Sequence, residues 1–222
     1  MQTNFVEAVY DQIQWTIEDS DSVMLKYNAT DKDILNLCGG IPLPDISNIR
    51  VQIYPQYPAA LVVTVNTDQY EVIRLIDFEV KLIDNHFMVV AETARGKHIG
   101  TNLFLNQREA AQTWKFRKLR TIARAPVIDE DNRETDWYGY VFWANMGYAN
   151  REPEEYARWA EKMNRTEPSL NELMQTEDGR QIWELYGTTW VGEFFLAKGH
   201  ACSRYLKMYL KRKGIDVNIE ED

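Results

Sequence analysis

The residues of this chain best suited to chemistry lie in Ala94-Arg95-Gly96-Lys97-His98-Ile99-Gly100-Thr101. This stretch follows a short apolar run, His86 to Ala91, and opens a segment of helical spacing from Ile99 to Trp114. A basic, glycine-containing turn at a helix start offers backbone N–H groups and the positive end of the helix dipole, which together can hold a phosphate. Arg95 and Lys97 would add formal charge, so an anionic ligand is one reading. An ordinary solvated turn between strand and helix is the other. Further on, Trp137, Tyr138, Tyr140, Phe142, Trp143 and Tyr148 fall within twelve residues. Such rings can stack on bases, but without interleaved Lys or Arg they read as packing. Lys115 to Arg120 reads as the solvated face of an alternating strand. His86 and His200 lack a carboxylate or cysteine at ligand spacing and read as surface or cap residues. Neither a Gly-x-Ser-x-Gly motif, a Cys/His pair nor a P-loop is present.

Composition limits the partners. The chain has 222 residues, 45% hydrophobic and 27% charged, which are globular proportions with enough length for a real core. A net charge of −9 and a pI near 5.0 speak against nucleic acid or an anionic membrane as a partner of the whole surface. Cys38 and Cys202 are far apart, with no spacing that suggests a disulfide framework or zinc. The first residues do not read as a signal peptide, and no apolar run approaches the ~20 residues of a membrane span. The expectation is a cytoplasmic protein without a metal.

The elements that must position the turn follow from periodicity. Thr3 to Ile17 has helical spacing, Ser22 to Tyr27 reads as a short strand, and Thr30 to Asp33 as a capped helix start ending at Gly39-Gly40. Pro42 and Pro44 make Ile41 to Ser47 a linker. Asn48 to Tyr54, Ala59 to Asn66, Tyr70 to Lys81 and His86 to Ala91 read as four strands of an antiparallel meander. Their turns are placed at Pro55–Pro58, Asn66–Asp68 and Asp84-Asn85. After the helix, Arg117 to Ala123 is a strand that a right-handed crossover would make parallel to His86–Ala91, and Ala125 to Thr135 is a polar, acidic loop. The remainder is mainly helical: a helix with Pro153 in its first turn, a second from Ser169, a third from Asp178 or Gly179 to Tyr186, a strand from Thr188 to Leu196, and a last helix from Ala201 to Lys213. Glu220 to Asp222 reads as a tail.

This order of parts, together with two motifs, resembles the GNAT superfamily of N-acetyltransferases over roughly Asn48 to Ala149. The family's acetyl-CoA loop, Arg/Gln-x-x-Gly-x-Gly/Ala, corresponds to Arg95-Gly96-Lys97-His98-Ile99-Gly100-Thr101, and its later Phe-Tyr-x-x-x-Gly-Phe segment to Phe142-Trp143-Ala144-Asn145-Met146-Gly147-Tyr148. The resemblance implies an α+β fold with a mixed, mostly antiparallel central sheet flanked by helices. It also implies three regions: an N-terminal segment, 1–47, a core that binds acyl-CoA, 48–149, and a mainly helical extension, 150–222.

It further implies direct acyl transfer from acetyl-CoA to a small amine or a protein amino group. Residues 95–101 would hold the pyrophosphate, a backbone N–H at Val89 or Val90 would polarise the thioester carbonyl, and Glu92 or Glu79 would accept the amine's proton. His98 stands where the family usually has glycine. Trp143, on the cofactor wall, replaces a tyrosine that protonates the departing thiolate in many members. Indole cannot do that, so Tyr138 or Tyr140 is left to supply the proton. The alternative is a non-catalytic GNAT-like module that binds a protein partner. The segment Gly179 to Tyr186 with Thr188 to Leu196 is similar to GNAT-like proteins of phages or prophages, which would make the chain a virion or host-interaction component. A homo-oligomer or protein assembly fits either reading.

Overall fold

The computed structural model describes residues 12–18, 21–42, 46–57, 59–126 and 138–216. The expectations for 1–11, the acidic loop 127–137 with Trp137, and the tail 217–222 lie outside them. The chain is α+β, its strands paired mostly antiparallel, and it divides into two compact units, residues 1–119 and 120–222.

In the first unit the strands are ordered β1-β2-β3-β4-β5, with β1 at Gln14–Ile17, β2 at Arg50–Tyr57, β3 at Ala60–Asn66, β4 at Tyr70–Asp77 and β5 at Leu82–Val90. β2 to β5 form the expected antiparallel meander. β-Branched residues bury one face of it: Val51, Ile53, Val63, Val65, Val72 and Ile76 are all excluded from solvent.

Four local expectations are corrected. Gln14–Ile17 is a strand parallel to β2, not the end of a helix, because its half-buried Trp15 and Ile17 alternate with exposed Gln14 and Thr16. Asp21–Tyr27 is a helix, α1, rather than a strand. Its inward residues Val23, Met24 and Tyr27 have helical spacing, while Leu25 between them is 82% exposed. Pro55 does not end β2, which runs to Tyr57 through a register shift. Asp84-Asn85 is not a turn but part of β5. The reversal comes earlier, at 78–81, where Asp77 Oδ1 accepts from the Glu79 and Val80 amides at 3.0 Å each and Lys81 takes a positive φ of 58°. Asn85 is held by a glutamine from the following helix instead.

That helix, α3 (Ile99–Thr113), packs beside α2 (Asp31–Leu37). α2 starts in the expected capping box of Thr30 and Asp33. It stops at Gly39, whose φ of 112° and approach to the Leu103 carbonyl leave no room for a side chain: a Cβ there would lie 2.6 Å from that oxygen. The carbonyls at the end of α2 then need other donors. Gln107 Nε2 donates to the Leu37 carbonyl at 3.0 Å, Asn106 Nδ2 to Gly39 at 3.1 Å and the Tyr70 hydroxyl to Gly40 at 3.0 Å. Gln107 and Asn85 also bond reciprocally at 2.9 and 3.1 Å. This buried amide pair fixes α3 over β5, and with it the turn between them.

In the second unit, β6 (Lys118–Ala123, which begins two residues before the division) neighbours β8 (Trp190–Phe195), and β8 pairs antiparallel with the short β7 (Ala149–Asn150). Its helices are α4 (Gly139–Asn145), α5 (Pro153–Lys162), α6 (Leu170–Leu173), α7 (Glu177–Tyr186) and α8 (Ala201–Arg212). Pro153 occupies the first turn of α5, Ser169 caps α6 and Thr176 caps α7. The core is aromatic. The rings of Trp159 and Trp183 meet edge to face at 4.8 Å, as do Trp143 and Tyr148 at 5.0 Å, and Tyr148 packs on Phe194 at 5.5 Å.

Candidate functional site

β5 leaves the sheet at Val90. The Ala91 amide makes a last ladder bond to the Gln69 carbonyl at 2.8 Å, and Glu92–Ala94 then forms one 3-10 turn. Buried Ala94 pins this turn to the core, whereas Arg95, Gly96, Lys97 and His98 are all exposed. Gly96 has φ 82° and His98, the cap residue of α3, has φ 59° and ψ 19°. Histidine is among the few side chains that occupy this left-handed region with some frequency, so His98 holds a backbone conformation that glycine favours. Ile99 and Thr101 are buried and anchor the first turn of the helix.

The electrostatics of this helix end differ from those of an ordinary capped helix. His98 makes no side-chain cap hydrogen bond, and the first turn of α3 carries no acidic residue. The amides at the start of a helix have no intrahelical acceptor, and here a fifteen-residue helix presents them beside Arg95 and Lys97. The arrangement can accept an anion.

Strand alternation also separates the two candidate amides. Since the Ala91 N–H points at β4, so does that of Val89, and the N–H of Val90 points the opposite way. Val90, not Val89, is therefore the residue whose amide is directed away from the β4 ladder. Glu92 is exposed beside this point. Glu79 is not brought there: it sits in the 78–81 turn at the other end of β5, a strand length or roughly 25–30 Å away.

The remaining candidates belong to the second unit. Tyr138 is 54% exposed and precedes α4 without a side-chain cap bond. The Tyr140 hydroxyl donates a short hydrogen bond to the Glu184 carbonyl, and burial raises its pKa. The Tyr140 carbonyl accepts from both Trp183 Nε1 and Trp190 Nε1 at 3.1 Å. Trp143 is buried against Phe142 and Tyr148. Tyr140 and Trp143 are thus parts of the aromatic core.

A surface cleft in the same unit, lined by Tyr156, Glu161, Asn164, Arg165 and Glu167 among others, has its strongest charge already engaged. Arg165 is paired with Glu167 and Asp178 at 2.5 Å each, which holds the Glu167 carboxyl below its usual range. The Tyr156 hydroxyl donates to the Glu167 carbonyl at 3.1 Å, and burial with the neighbouring Glu167 pushes Tyr156 up to about 12. Among the described residues no group of three His, Cys, Asp or Glu could hold a metal ion, and no helix is long and apolar enough to cross a membrane.

Sequence reasoning missed the polar groups buried in the first unit. Arg74 lies on the inward face of β4 between Val72 and Ile76, and a charged residue on the apolar face of an alternating strand was the signal for it. Cys38 is fully enclosed near it. Burial pushes its thiol up to about 12 against the pull of the Arg74 charge. No family model matches the chain, and neither a curated protein nor a solved structure matches it.

Proposed function

We propose that the turn between β5 and α3 binds the diphosphate of acetyl-CoA and that the chain is an N-acyltransferase of GNAT type, acting on a small amine or a protein amino group. The observation that carries this reading is the helix end itself: an uncapped fifteen-residue helix without acidic residues in its first turn, entered through left-handed Gly96 and His98 and flanked by exposed Arg95 and Lys97. The antiparallel meander leading into it is the order of parts that the resemblance requires. In this reading the amine attacks the thioester carbonyl, whose oxygen is polarised by the Val90 amide. Glu92 takes the amine's proton, and the intermediate collapses with departure of the CoA thiolate.

The second reading is a GNAT-like module that binds without turnover, and it has its own support. The hydroxyl of Tyr140 is engaged by the Glu184 carbonyl, and Trp143 has no acidic proton to give. Tyr138 then remains as the sole tyrosine of the two able to protonate a thiolate.

Calorimetric titration with acetyl-CoA tests both. Saturable binding that disappears in the Arg95→Glu/Gly100→Trp variant supports the cofactor site, and absence of binding at millimolar CoA removes it. Release of free thiol over a panel of amines supports transfer. Binding with no thiol release across the panel leaves the module.

A further inference from the structure

We infer that Arg74 is a positioning residue for the turn after β5, acting through the one extra residue that β5 carries at His86. The functional part of this inference rests on the reading of that turn as the ligand site. The structural part does not.

β4 buries alternate residues, Tyr70, Val72, Arg74 and Ile76, so a guanidinium only 2% exposed stands in an otherwise apolar row. A buried charge is tolerated where its N–H groups find acceptors. Arg74 Nη1 donates to the Phe87 carbonyl at 2.6 Å and lies 3.3 Å from the carbonyl of Ile73. These are the two residues of the pair at which the β4–β5 ladder breaks step. Arg74 is opposite Asn85 and Ile73 is opposite Phe87, so His86 has no counterpart. Such a bulge takes carbonyls out of regular pairing, and here the buried arginine supplies a donor to the one that follows the extra residue.

The extra residue changes everything downstream in β5. With it, Asn85, Met88 and Val90 share the face of Arg74, Val72 and Tyr70, and Val89 is left 42% exposed on the other side. Pairing His86 with Ile73 in the earlier register would instead set Val89 opposite Tyr70 and turn the Val90 amide toward β4. Arg74 thereby selects which amide faces away from the ladder and where the chain departs toward Glu92. Its bonds to the Ile73 and Phe87 carbonyls lie at the break in the ladder, so its action is on register.

The test compares Arg74→Met, deletion of His86 and the two combined, in the full chain. Tyr70–Val90 and Val72–Met88 are the closely approaching pairs of the native ladder, so the native protein shows Hα–Hα NMR contacts between them. In Arg74→Met these contacts weaken. Where His86 is kept and pairs with Ile73 they give way to Tyr70–Val89 and Val72–Phe87; in the combined variant, which lacks the surplus residue, Tyr70–Val90 and Val72–Met88 return, and deletion of His86 lowers the thermal midpoint less than it does with Arg74 present. Native contacts unchanged in Arg74→Met, or an equal effect of the deletion in both backgrounds, overturns the inference.

Should Arg74→Met fail to fold, Arg74→Lys keeps one charged donor. Amide exchange should then rise about tenfold in 87–91 but not at Ile83. A uniform rise would mean general loss of stability and would also overturn it. Acetyl-CoA stabilises the native chain and not Arg74→Met if both readings hold. A native chain indifferent to acetyl-CoA ends the cofactor reading alone, because the NMR contacts still decide the role of Arg74.

Discussion

The turn between β5 and α3 and the aromatic segment around α4 treat their polar groups in opposite ways. At the turn, four consecutive residues from Arg95 to His98 are exposed, and the helix behind them has no cap bond of its own. Around α4, the hydroxyl of Tyr140 and the indole N–H groups of Trp183 and Trp190 are all bonded to main-chain oxygens inside the unit. In the proposed reading the first region meets a ligand; the second bonds its polar groups within the chain. Reactive-looking side chains close together therefore do not mark a site where their polar groups are already bonded inside the chain.

Variants can break or sharpen this contrast. Trp183→Ala should have the largest effect, since a ring 1% exposed leaves a cavity and takes one of two donors from the Tyr140 carbonyl. A loss of about 3–5 kcal/mol in urea unfolding is expected.

The thiol of Cys38 comes next. Its ordinary value is 9.0, raised to about 12 by burial. Above pH 9 the unfolded chain ionises while the folded chain does not. The stability is whole below pH 9 and falls by about 1.4 kcal/mol per pH unit until the folded thiol itself ionises. Cys38→Ala should flatten that part of a stability–pH curve. The slope that remains from pH 10 upward belongs to tyrosines such as Tyr156.

Gln107→Leu removes a donor from the Leu37 carbonyl and both side-chain bonds to Asn85, for about 2–3 kcal/mol by denaturant titration. Tyr140→Phe removes one hydroxyl bond and should lower stability by about 1 kcal/mol while thiol release, if present, is unchanged. A collapse of turnover with stability intact would instead make Tyr140 the acid. Arg95→Glu with Lys97→Glu should leave stability within about 0.5 kcal/mol of native and weaken acetyl-CoA binding at least about tenfold by calorimetry. Equal affinity would erase the contrast between the regions.

Much of this was legible from residues alone. The meander, the capping box of Thr30 and Asp33, the Pro153 and Ser169 helix starts and the basic turn all depend on local chemistry, which a sequence carries openly. What escaped depends on partners distant in the chain. Gln14–Ile17 is a strand because β2 offers an edge, and Asp84-Asn85 lost its turn character because Asp77 already made the reversal and Gln107 claimed Asn85. The bulge at His86 was hidden for the same reason, since one surplus residue is visible only against the strand beside it. At the candidate site, the identity of the turn residues was clear, but the choice between the Val89 and Val90 amides and the removal of Glu79 to the far end of β5 required the register.

The end of α2 has a consequence for how the chain is made. Its three terminal acceptors, on Leu37, Gly39 and Gly40, wait for donors 70, 67 and 30 positions later. On a translating ribosome, which releases the polypeptide in order, that segment emerges long before Asn106 and Gln107 do. It must idle, hydrated and reversible, until most of the first unit has cleared the exit tunnel, and any chaperone acting in that interval would find its client there.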